Sequence, residues 1–481
     1  MSNLKLMEVM DVLGTIANNM PELPEVETIK NTLKELTLNK VIKSVDVLRA
    51  QTIDGNANLF ASSLINKQII GFERVGKFIV FDLSNDLRLI SHLRMEGKYF
   101  LKDEKEKITK HDLVVFHFKD NTKLVYNDTR RFGRMKLSDS KKYLKEAPLS
   151  NVGPDPFMME NVDRLVKSFK NKTIAIKTAL LDQSIMSGLG NIYVDEVLFE
   201  TKIHPETPAK LITKKQLENI LATSKIVLSK AVKAGGTTIK SYHPREGISG
   251  NFQVDLKVYG KKGKQCPNCG TELRKKFVNG RGTTYCPKCQ KNIALPKVYG
   301  LTGPIASGKS TIAKAIEKCN FKIIDCDEIV HNLYKNKQIQ KQILRIIPTS
   351  KILKGTIDRK SLKDVLISNP KKKAQLEKYI HGKVVEIVEK EINKSTSKIL
   401  IEAPLLFESK LDQLCDEIIF VDVTKEKQIE NLKTRNSDVE SSLELNKNFD
   451  AKLAKKKATI IITNDKDVAN LNRQVQSICC K

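Results

Sequence analysis

The sequence predicts a multidomain chain. A β-rich segment, a helical segment and a small cysteine module are followed by an α/β domain built on a parallel sheet. Three observations carry this. Apolar and β-branched residues alternate from Val41 to about Tyr126, then adopt helical spacing from about Val162 to Ala234. Four cysteines fall into two CxxC pairs within Gly260–Gln290. Beyond residue 295, apolar strands alternate with helices, and the first strand runs into GPIASGKS.

Size and composition fit that organisation. A chain of 481 residues has room for about two to four domains, each with its own core. Apolar residues make up 40% of it, yet no stretch approaches ~18 in a row, so no membrane partner is expected. Glu8 and Asp11 interrupt the only apolar run of residues 1–19, so this stretch does not read as a signal peptide and the cytoplasm is the expected location. The net charge of +28 permits nucleic-acid binding without locating it. Lys and Arg outnumber Asp and Glu by 50 to 32 before Val298 and by 34 to 24 after it, and Lys outnumbers Arg 69 to 15. The excess therefore reads as a chain-wide lysine bias rather than a patch.

Taken in order, VIKSVDVL, KFIVFDL, RLISHL, HDLVVFHF and KLVYND read as strands. KKQLENILATSKIVLSKAVKAGG reads as a helix stopped by a glycine pair. The cysteine module has the spacing C-x2-C-x16-C-x2-C, from Cys266, Cys269, Cys286 and Cys289. A tetrahedral zinc ion needs four soft ligands, and each CxxC supplies two from one turn. Gly270, Gly280 and Gly282 punctuate a hairpin between the pairs. A ribbon this small folds on its metal, so one structural Zn²⁺ is expected, presenting LRKKFVNGRGTTY to a partner. Cys319, Cys326, Cys415, Cys479 and Cys480 share no pattern. After the joint KNIALPK come the strands KVYGLTG, FKIIDCD, KILIEAP, EIIFVDV and TIIIT.

GPIASGKS, Gly303 to Ser310, completes GxxxxGK[ST] between the strand VYGL and the helix TIAKAIEK, and Thr311 follows it. Backbone N–H groups around Gly303, Ala306, Ser307 and Gly308 are expected to wrap phosphates at a helix N-terminus. Lys309 would reach the β/γ-phosphates and Ser310 would ligate Mg²⁺, which makes ATP with Mg²⁺ the expected substrate.

GLTGPIASGKST, IIDCDEIV, IHGKV, IEAPLLFE and a final TND together resemble dephospho-coenzyme A kinase over about residues 298–470. The resemblance implies transfer of the ATP γ-phosphate to the ribose 3′-hydroxyl of dephospho-CoA. It also implies Asp327 as the base and Arg435 as a phosphate-clamping lid arginine. Two positions depart from the family pattern. His381-Gly382 replaces His-Pro, and a lysine run precedes TIIIT.

MPELPEVET, RVGKFIV, HLRMEGKY, KHD, YNDTRRFG, LLDQSIMSGLGNIYVDEVLF, AGGTT and the cysteine module resemble formamidopyrimidine-DNA glycosylase, in family order across residues 20–290. That family implies a β-sandwich, a helix-two-turns-helix domain and a zinc finger around kinked duplex DNA. It implies excision of oxidised purines, chiefly 8-oxoguanine and formamidopyrimidines, followed by strand cutting. Endonuclease VIII, a sister family, prefers oxidised pyrimidines, and PELPEVET fits the purine branch better. The resemblance implies Pro21 as the Schiff-base nucleophile and Glu22 as the acid at the sugar oxygen. Lys77 would serve β-elimination and Arg281 δ-elimination. Met95, Arg130 and Phe132 would fill the void left by the extruded nucleotide, while His111, Lys177 and Asn191 would face phosphates. No counterpart of a further lysine contact is found where Thr173 stands.

The expected boundaries are residues 1–19 for an extension, 20–150 for the β-sandwich, 151–259 for the helical domain, 260–290 for the zinc finger, 291–297 for a linker and 298–481 for the kinase. A proline nitrogen inside a chain is a tertiary amide and attacks nothing. Residues 1–19 therefore raise three accounts: a start placed too far upstream, proteolytic removal, or a lesion-binding module without lyase activity fused to a kinase. The first is the simplest.

Overall fold

In a computed structural model of the chain, the described residues are 21–237, 255–358, 369–434, 449–465 and 468–479, with Leu362 and Leu366. Residues 1–20 and Arg435 lie outside them, and with them the expectations attached to the extension and to the lid arginine. The chain forms two compact units, the first ending at Asn292 and the second beginning at Ile293.

The first unit opens with helix α1 (Leu23–Thr37). Its N-terminus is a capping box, in which the Glu22 and Glu25 side chains each accept from the other's backbone N–H, and Pro24 pre-sets the first turn. Leu23, Val26, Ile29 and Leu33 recur at helical spacing and are buried. Strand β1 (Ile42–Val47), helix α2 (Ala57–Leu64) and strands β2 (Ile69–Val75), β3 (Phe78–Leu83) and β4 (Leu87–His92) follow. Next come β5 (Lys98–Asp103), β6 (Asp112–Phe118), β7 (Thr122–Asn127) and β8 (Arg134–Asp139). They build two antiparallel four-stranded sheets, ordered β1-β6-β7-β5 and β2-β3-β4-β8.

One core joins Val114, Phe116, Leu124 and Tyr126 of the first sheet to Ile79, Phe81 and Leu89 of the second, with Val26, Ile29 and Leu33 of α1. The rings of Phe72, Phe81, Tyr99 and Tyr126 run through it with successive centroid separations of 4.7, 5.7 and 5.1 Å. Burying each such side chain contributes about 1.5–3 kcal/mol. Strand β8 lies beyond the expected β region. Its sequence RMKLSD carries Arg134 and Lys136 on one face, which hides the alternation that pairing with β4 makes plain.

The helical part comprises α3 (Asp163–Phe169), α4 (Ile176–Leu180), α5 (Asn191–Glu200) and α6 (Lys214–Lys233). Helix α5 is buried from Ile192 to Phe199 and forms the centre of this core. Helix α6 begins at a Thr213–Gln216 capping box and ends before Gly235 and Gly236, whose φ values of 78° and 81° admit glycine at low cost. Strands β9 (Arg274–Val278) and β10 (Arg281–Tyr285) form a hairpin. Asn279 and Gly280 turn it at φ values of 46° and 72°, the two positive values a tight two-residue turn requires.

The second unit contains β11 (Val298–Thr302), α7 (Lys309–Glu317), β12 (Lys322–Asp325), α8 (Cys326–Lys335) and α9 (Lys337–Ile346). A short hairpin, β13 (Ile352–Leu353) with β14 (Thr356–Ile357), leads to α10 (Pro370–Lys394) and β15 (Ile399–Glu402). Then come β16 (Glu417–Asp422), α11 (Lys425–Thr434), α12 (Ala451–Lys457), β17 (Ile460–Thr463) and α13 (Val468–Cys479). The five-stranded sheet is parallel throughout, in the order β12-β15-β11-β16-β17. Central β11 is buried along its whole length, as a parallel strand covered on both faces must be. Cores lie on either side of the sheet, one with α8, α9 and α10 and the other with α7 and α13. The loop after β11 therefore opens where the strand order reverses, the crevice that α/β sheets use for ligands. Among the described residues, no helix is long and apolar enough to cross a membrane.

Candidate functional site

In the first unit a cavity of about 350 Å³ brings Glu22, Lys77, Met95, Asn191 and Arg281 together from five separate segments. Glu22 is almost wholly buried. Its carboxylate accepts the backbone N–H groups of Gly190 at 2.8 Å, Ile192 at 2.9 Å and Tyr193 at 3.4 Å, at the N-terminus of α5. Burial pushes its pKa up to about 7. The Lys77 charge opposes that rise and Glu25 adds to it. A Cβ on Gly190 would lie 2.3 Å from Glu22 Cδ, so only glycine lets the carboxylate reach the helix end.

Lys77 follows the Gly76 turn between β2 and β3 and donates to the Leu189 carbonyl at 2.8 Å. Burial lowers its pKa, while the Glu22 and Glu25 charges pull the other way. Pro21 is buried immediately before Glu22. Glu25 ties this corner together, accepting from the Glu22 N–H at 2.9 Å, the Tyr193 hydroxyl at 2.5 Å, and the Thr237 N–H and hydroxyl at 2.9 Å.

The hairpin is fastened to α5 by a buried polar cluster. Lys177 and Asp195 are fully buried and pair at 2.7 Å. The ammonium also donates to Thr283 Oγ1 at 2.8 Å and the Gly282 carbonyl at 3.2 Å, so all three of its protons are used. Asp195 Oδ2 accepts the Thr284 N–H at 2.9 Å, and Asn191 Nδ2 donates to the Gly282 carbonyl at 3.0 Å. Lys177, expected to face a phosphate, is fully buried with its ammonium fully paired, and it holds the hairpin and with it the exposed Arg281. Asn191 does reach the cavity, where its Oδ1 is buried with no hydrogen-bond partner among the described residues.

At the base of the hairpin the sulfurs of Cys266, Cys269, Cys286 and Cys289 lie within 4.8 Å of one another. The Cys269 and Cys286 sulfurs stand 3.5 Å apart and those of Cys266 and Cys289 3.8 Å. Four thiolates at ~2.3 Å from one zinc ion would stand ~3.8 Å apart, so this donor set fits a tetrahedral site. Phe199 of α5 and Val258 pack against the cluster, which joins the metal module to the helical core.

Of the other expected residues, Met95 lines the cavity, whereas His111, Arg130 and Phe132 are not among its lining. Arg130 lies over the Phe132 ring at 5.2 Å, and Phe132 is 49% exposed. Their loop is wound around buried Asp128, whose carboxylate accepts the N–H groups of Arg130, Phe132 and Gly133 at 2.8–2.9 Å. The His111 carbonyl accepts the Asp128 N–H at 3.0 Å, so His111 is anchored to the same loop.

Sequence reasoning missed His92 and Gln183, both of which line the cavity. His92 accepts the Arg94 N–H at Nδ1 and stands edge-on to Phe78 at 4.4 Å. Burial, with Arg94 and Lys77 nearby, lowers its pKa to about 3, which keeps it neutral. Gln183 donates to the Leu181 and Leu189 carbonyls and accepts the Gly188 N–H, stapling the loop before α5. Both sit inside the quoted motifs HLRMEGKY and LLDQSIMSGLGNIY, which was the available signal.

In the second unit the loop from Gly303 to Ser310 joins β11 to α7. Ala306 and Gly308 have φ values of 58° and 94°. Lys309 Nζ lies 2.9 Å from the carbonyls of both Gly303 and Pro304, and Ser310 Oγ donates to Glu402 at 2.9 Å. Three amides hold the loop from outside. Gln428 donates to Ile305 O at 2.7 Å, Asn431 to Ala306 O at 2.8 Å and Asn464 to Ser307 O at 2.8 Å. Thr311 is in the first turn of α7, and Asp327 is in the first turn of α8, capped by Asp325. Glu402, at the end of β15, was missed. Burial raises its pKa, and Asp325 and Asp327 add to the rise although the Ser310 hydroxyl opposes it.

Comparison with known proteins covers both units. Residues 20–135 match the formamidopyrimidine-DNA glycosylase N-terminal domain and 152–243 its H2TH domain. Residues 263–292 match the zinc finger found in FPG and IleRS, and 297–470 match dephospho-CoA kinase. The chain is 46% identical over 275 residues to a formamidopyrimidine-DNA glycosylase of Ligilactobacillus salivarius, covering 56% of this chain and 99% of that one. It is 44% identical over 277 residues to one from Bacillus cereus, covering 57% and 100%. Among solved structures, a Lactococcus lactis FPG variant in complex with Fapy-dG-containing DNA is similar at a TM-score of 0.54 and 37% identity, covering 56% of this chain and 100% of that one. MutM in complex with DNA containing carbocyclic 8-oxo-G is similar at 0.53 and 38%, with the same coverage.

Proposed function

Between residues 20 and 292 this chain belongs to the formamidopyrimidine-DNA glycosylase family, and it continues into a dephospho-CoA kinase domain; from that premise we propose two reactions. The first is excision of 8-oxoguanine and formamidopyrimidines from damaged duplex DNA, followed by β,δ-elimination. The second is ATP-dependent phosphorylation of the 3′-hydroxyl of dephospho-CoA.

The observation that carries the first reading is the cavity shared by Glu22, Lys77 and Arg281. Pro21, as a chain-terminal secondary amine, attacks C1′ of the everted nucleotide, and Glu22 protonates the sugar ring oxygen as the ring opens. Lys77 and Arg281 then serve the two eliminations. Met95, Arg130 and Phe132 fill the void, His111 and Asn191 meet phosphates, and Lys177 acts through the hairpin it holds. The two sheets of the first unit are read as the sandwich of this fold. Trapping with borohydride on an 8-oxoguanine duplex separates this reading from a lesion-binding module without lyase chemistry. A stronger adduct on oxidised-pyrimidine duplex would favour an endonuclease VIII-like specificity.

The metal module makes a separate prediction. Zinc at Cys266, Cys269, Cys286 and Cys289 would supply fold energy to the hairpin rather than chemistry. Cys266→Ser, or chelation, is expected to reduce zinc below one equivalent and weaken lesion-duplex binding by at least ~10-fold, with kinase turnover unchanged. A full equivalent of zinc in a protein lacking all four cysteines would refute the site.

For the second unit the supporting observation is the loop from Gly303 to Ser310 at the sheet's reversal point, with Lys309, Ser310, Glu402 and Asp327 around it. These residues fit ATP phosphates and a Mg²⁺ ion: Ser310 would ligate the ion, and Asp327 would accept the acceptor hydroxyl's proton. Lys309→Ala is expected to lower dephospho-CoA phosphorylation by at least ~10³-fold while lesion cleavage stays at the wild-type rate. A far better acceptor than dephospho-CoA in a panel of nucleosides and nucleotides would overturn the substrate assignment and leave the kinase.

A further inference from the structure

Cys319, just beyond α7, is disulfide-bonded to Cys479, the last residue of α13, across 160 residues of chain, with a Cα–Cα distance of 5.8 Å. Both residues are half-buried. Cys326 and Cys415, the other described cysteines of this unit, are buried, and burial pushes the Cys326 thiol up to about 12. Among the described residues of the second unit, the bonded pair therefore offers the cysteine sulfur open to attack.

The bond closes a path to the phosphate loop. Leu471, Val475 and Ile478 of α13 pack with Ile312, Ala313 and Ile316 of α7. From the same helix, Gln474 both donates to the Thr463 carbonyl and accepts the Thr463 N–H, each at 3.0 Å, at the end of β17. The next residue is Asn464, whose amide holds the Ser307 carbonyl of the loop. A Cβ on Gly308 would come within 2.2 Å of Asn464 Nδ2, so loop and amide are in close contact. Helix α13 is thus tied toward the loop at two points, at its last residue by the disulfide through α7 and at mid-helix by Gln474 through Asn464.

We propose that Cys319–Cys479 is a reversible modification site, opened by small thiols, and that its opening weakens nucleotide binding at residues 303–310. A thiolate attacks one Sγ to form a mixed disulfide, and the other cysteine leaves as a thiolate and takes a proton. A second thiol attacks the mixed disulfide, frees the remaining cysteine and departs as the small-molecule disulfide. One cystine and two thiols become two cysteines and one small disulfide, so atoms and electrons balance. The effect on nucleotide rests on the phosphate-loop reading; the chemistry of the site does not.

The full chain is equilibrated in graded mixtures of reduced and oxidised glutathione, quenched in acid, alkylated and mapped by mass spectrometry. Alkylation of Cys319 and Cys479 is expected to rise together. Across the same series the ATP dissociation constant should rise about 10-fold, within the range of ordinary coupling between sites. Removing so long a cross-link should lower the melting temperature of the second unit by roughly 5–15 °C. Cys319→Ser and Cys479→Ser should show the reduced values at every ratio, and Cys480→Ser should keep the wild-type response. Full alkylation of both cysteines at every ratio would overturn the site. A disulfide that titrates with unchanged ATP affinity would overturn its link to the loop. Absence of ATP binding in every mixture, with alkylation and melting still responding, would instead sink the phosphate-loop reading.

Discussion

Glu22→Gln, in a protein whose chain begins at Pro21, is expected to lower base excision by about 10²–10⁴-fold while lesion-duplex affinity changes little. The amide keeps the size of the carboxyl but has no proton to give. It also turns an NH₂ group toward backbone N–H groups that the carboxylate oxygens accept at 2.8 and 2.9 Å. The pH profile supplies the sharper test. A carboxyl held at about 7 is roughly half protonated at neutral pH, whereas an ordinary glutamate is almost wholly ionised there. Excision should therefore fall about tenfold per pH unit above ~7.5, and the residual activity of the Gln variant should not follow that limb. The same shift bears on stability. The folded state binds the Glu22 proton more tightly than the unfolded chain does. Its contribution is therefore most favourable below the unfolded value of 4.5 and is lost as pH rises through about 7. Gly190→Ala should mimic the Gln variant in part, because its Cβ displaces the carboxyl from the helix end. An unchanged pH limb in Glu22→Gln would hand the proton to another group.

What was legible in the sequence follows from what sequence can encode locally. The phosphate loop and the paired cysteines are contiguous patterns, and each sits where strand, helix and hairpin require it. The parallel sheet was legible because its strands are short apolar runs between helical spacings. Strand β8 was hidden because its lysine and arginine share one face. The site was less legible, since its chemistry depends on meetings across long separations. Glu22 gains its burial from Gly190 and Ile192, some 170 residues away, and nothing local in PELPEVET announces a raised pKa. The surroundings of Lys177 were hidden for the same reason. A lysine in a DNA-binding motif reads as a surface cation until Asp195 and Thr283 appear beside it. Gln428 and Asn431 hold the phosphate loop from a helix that carries no recognisable motif, and nothing in the quoted TND announced that its Asn464 would hold the loop as well. The Cys319–Cys479 pairing lies across 160 residues, beyond any spacing rule.

The largest expected effect concerns the nitrogen of Pro21. A chain that begins at Pro21 should be trapped on 8-oxoguanine duplex by borohydride in close to stoichiometric yield. A chain in which Met20 remains joined to Pro21 should bind the same duplex and give no adduct. The difference is covalent. A terminal proline is a secondary amine, and with a pKa near ~8 it keeps a neutral fraction able to attack C1′. Once acylated, the same nitrogen gives its lone pair to the amide, and no rotation or rearrangement of the site returns it. Burial of Pro21 beside Glu22 supports this choice, because the attacking amine and the acid at the ring oxygen must serve one sugar. Both chains contain Glu22, Lys77 and Arg281, so a difference in trapping isolates the amine from the acid and the elimination groups. Trapping by a chain shown by mass spectrometry to retain Met20 would overturn the assignment. It would point to Lys77, a buried cavity amine whose pKa is lowered by desolvation, as the group that forms the Schiff base. Lys77→Ala in that longer chain should then abolish the adduct, whereas in the chain beginning at Pro21 it should leave the adduct in place and slow strand cutting.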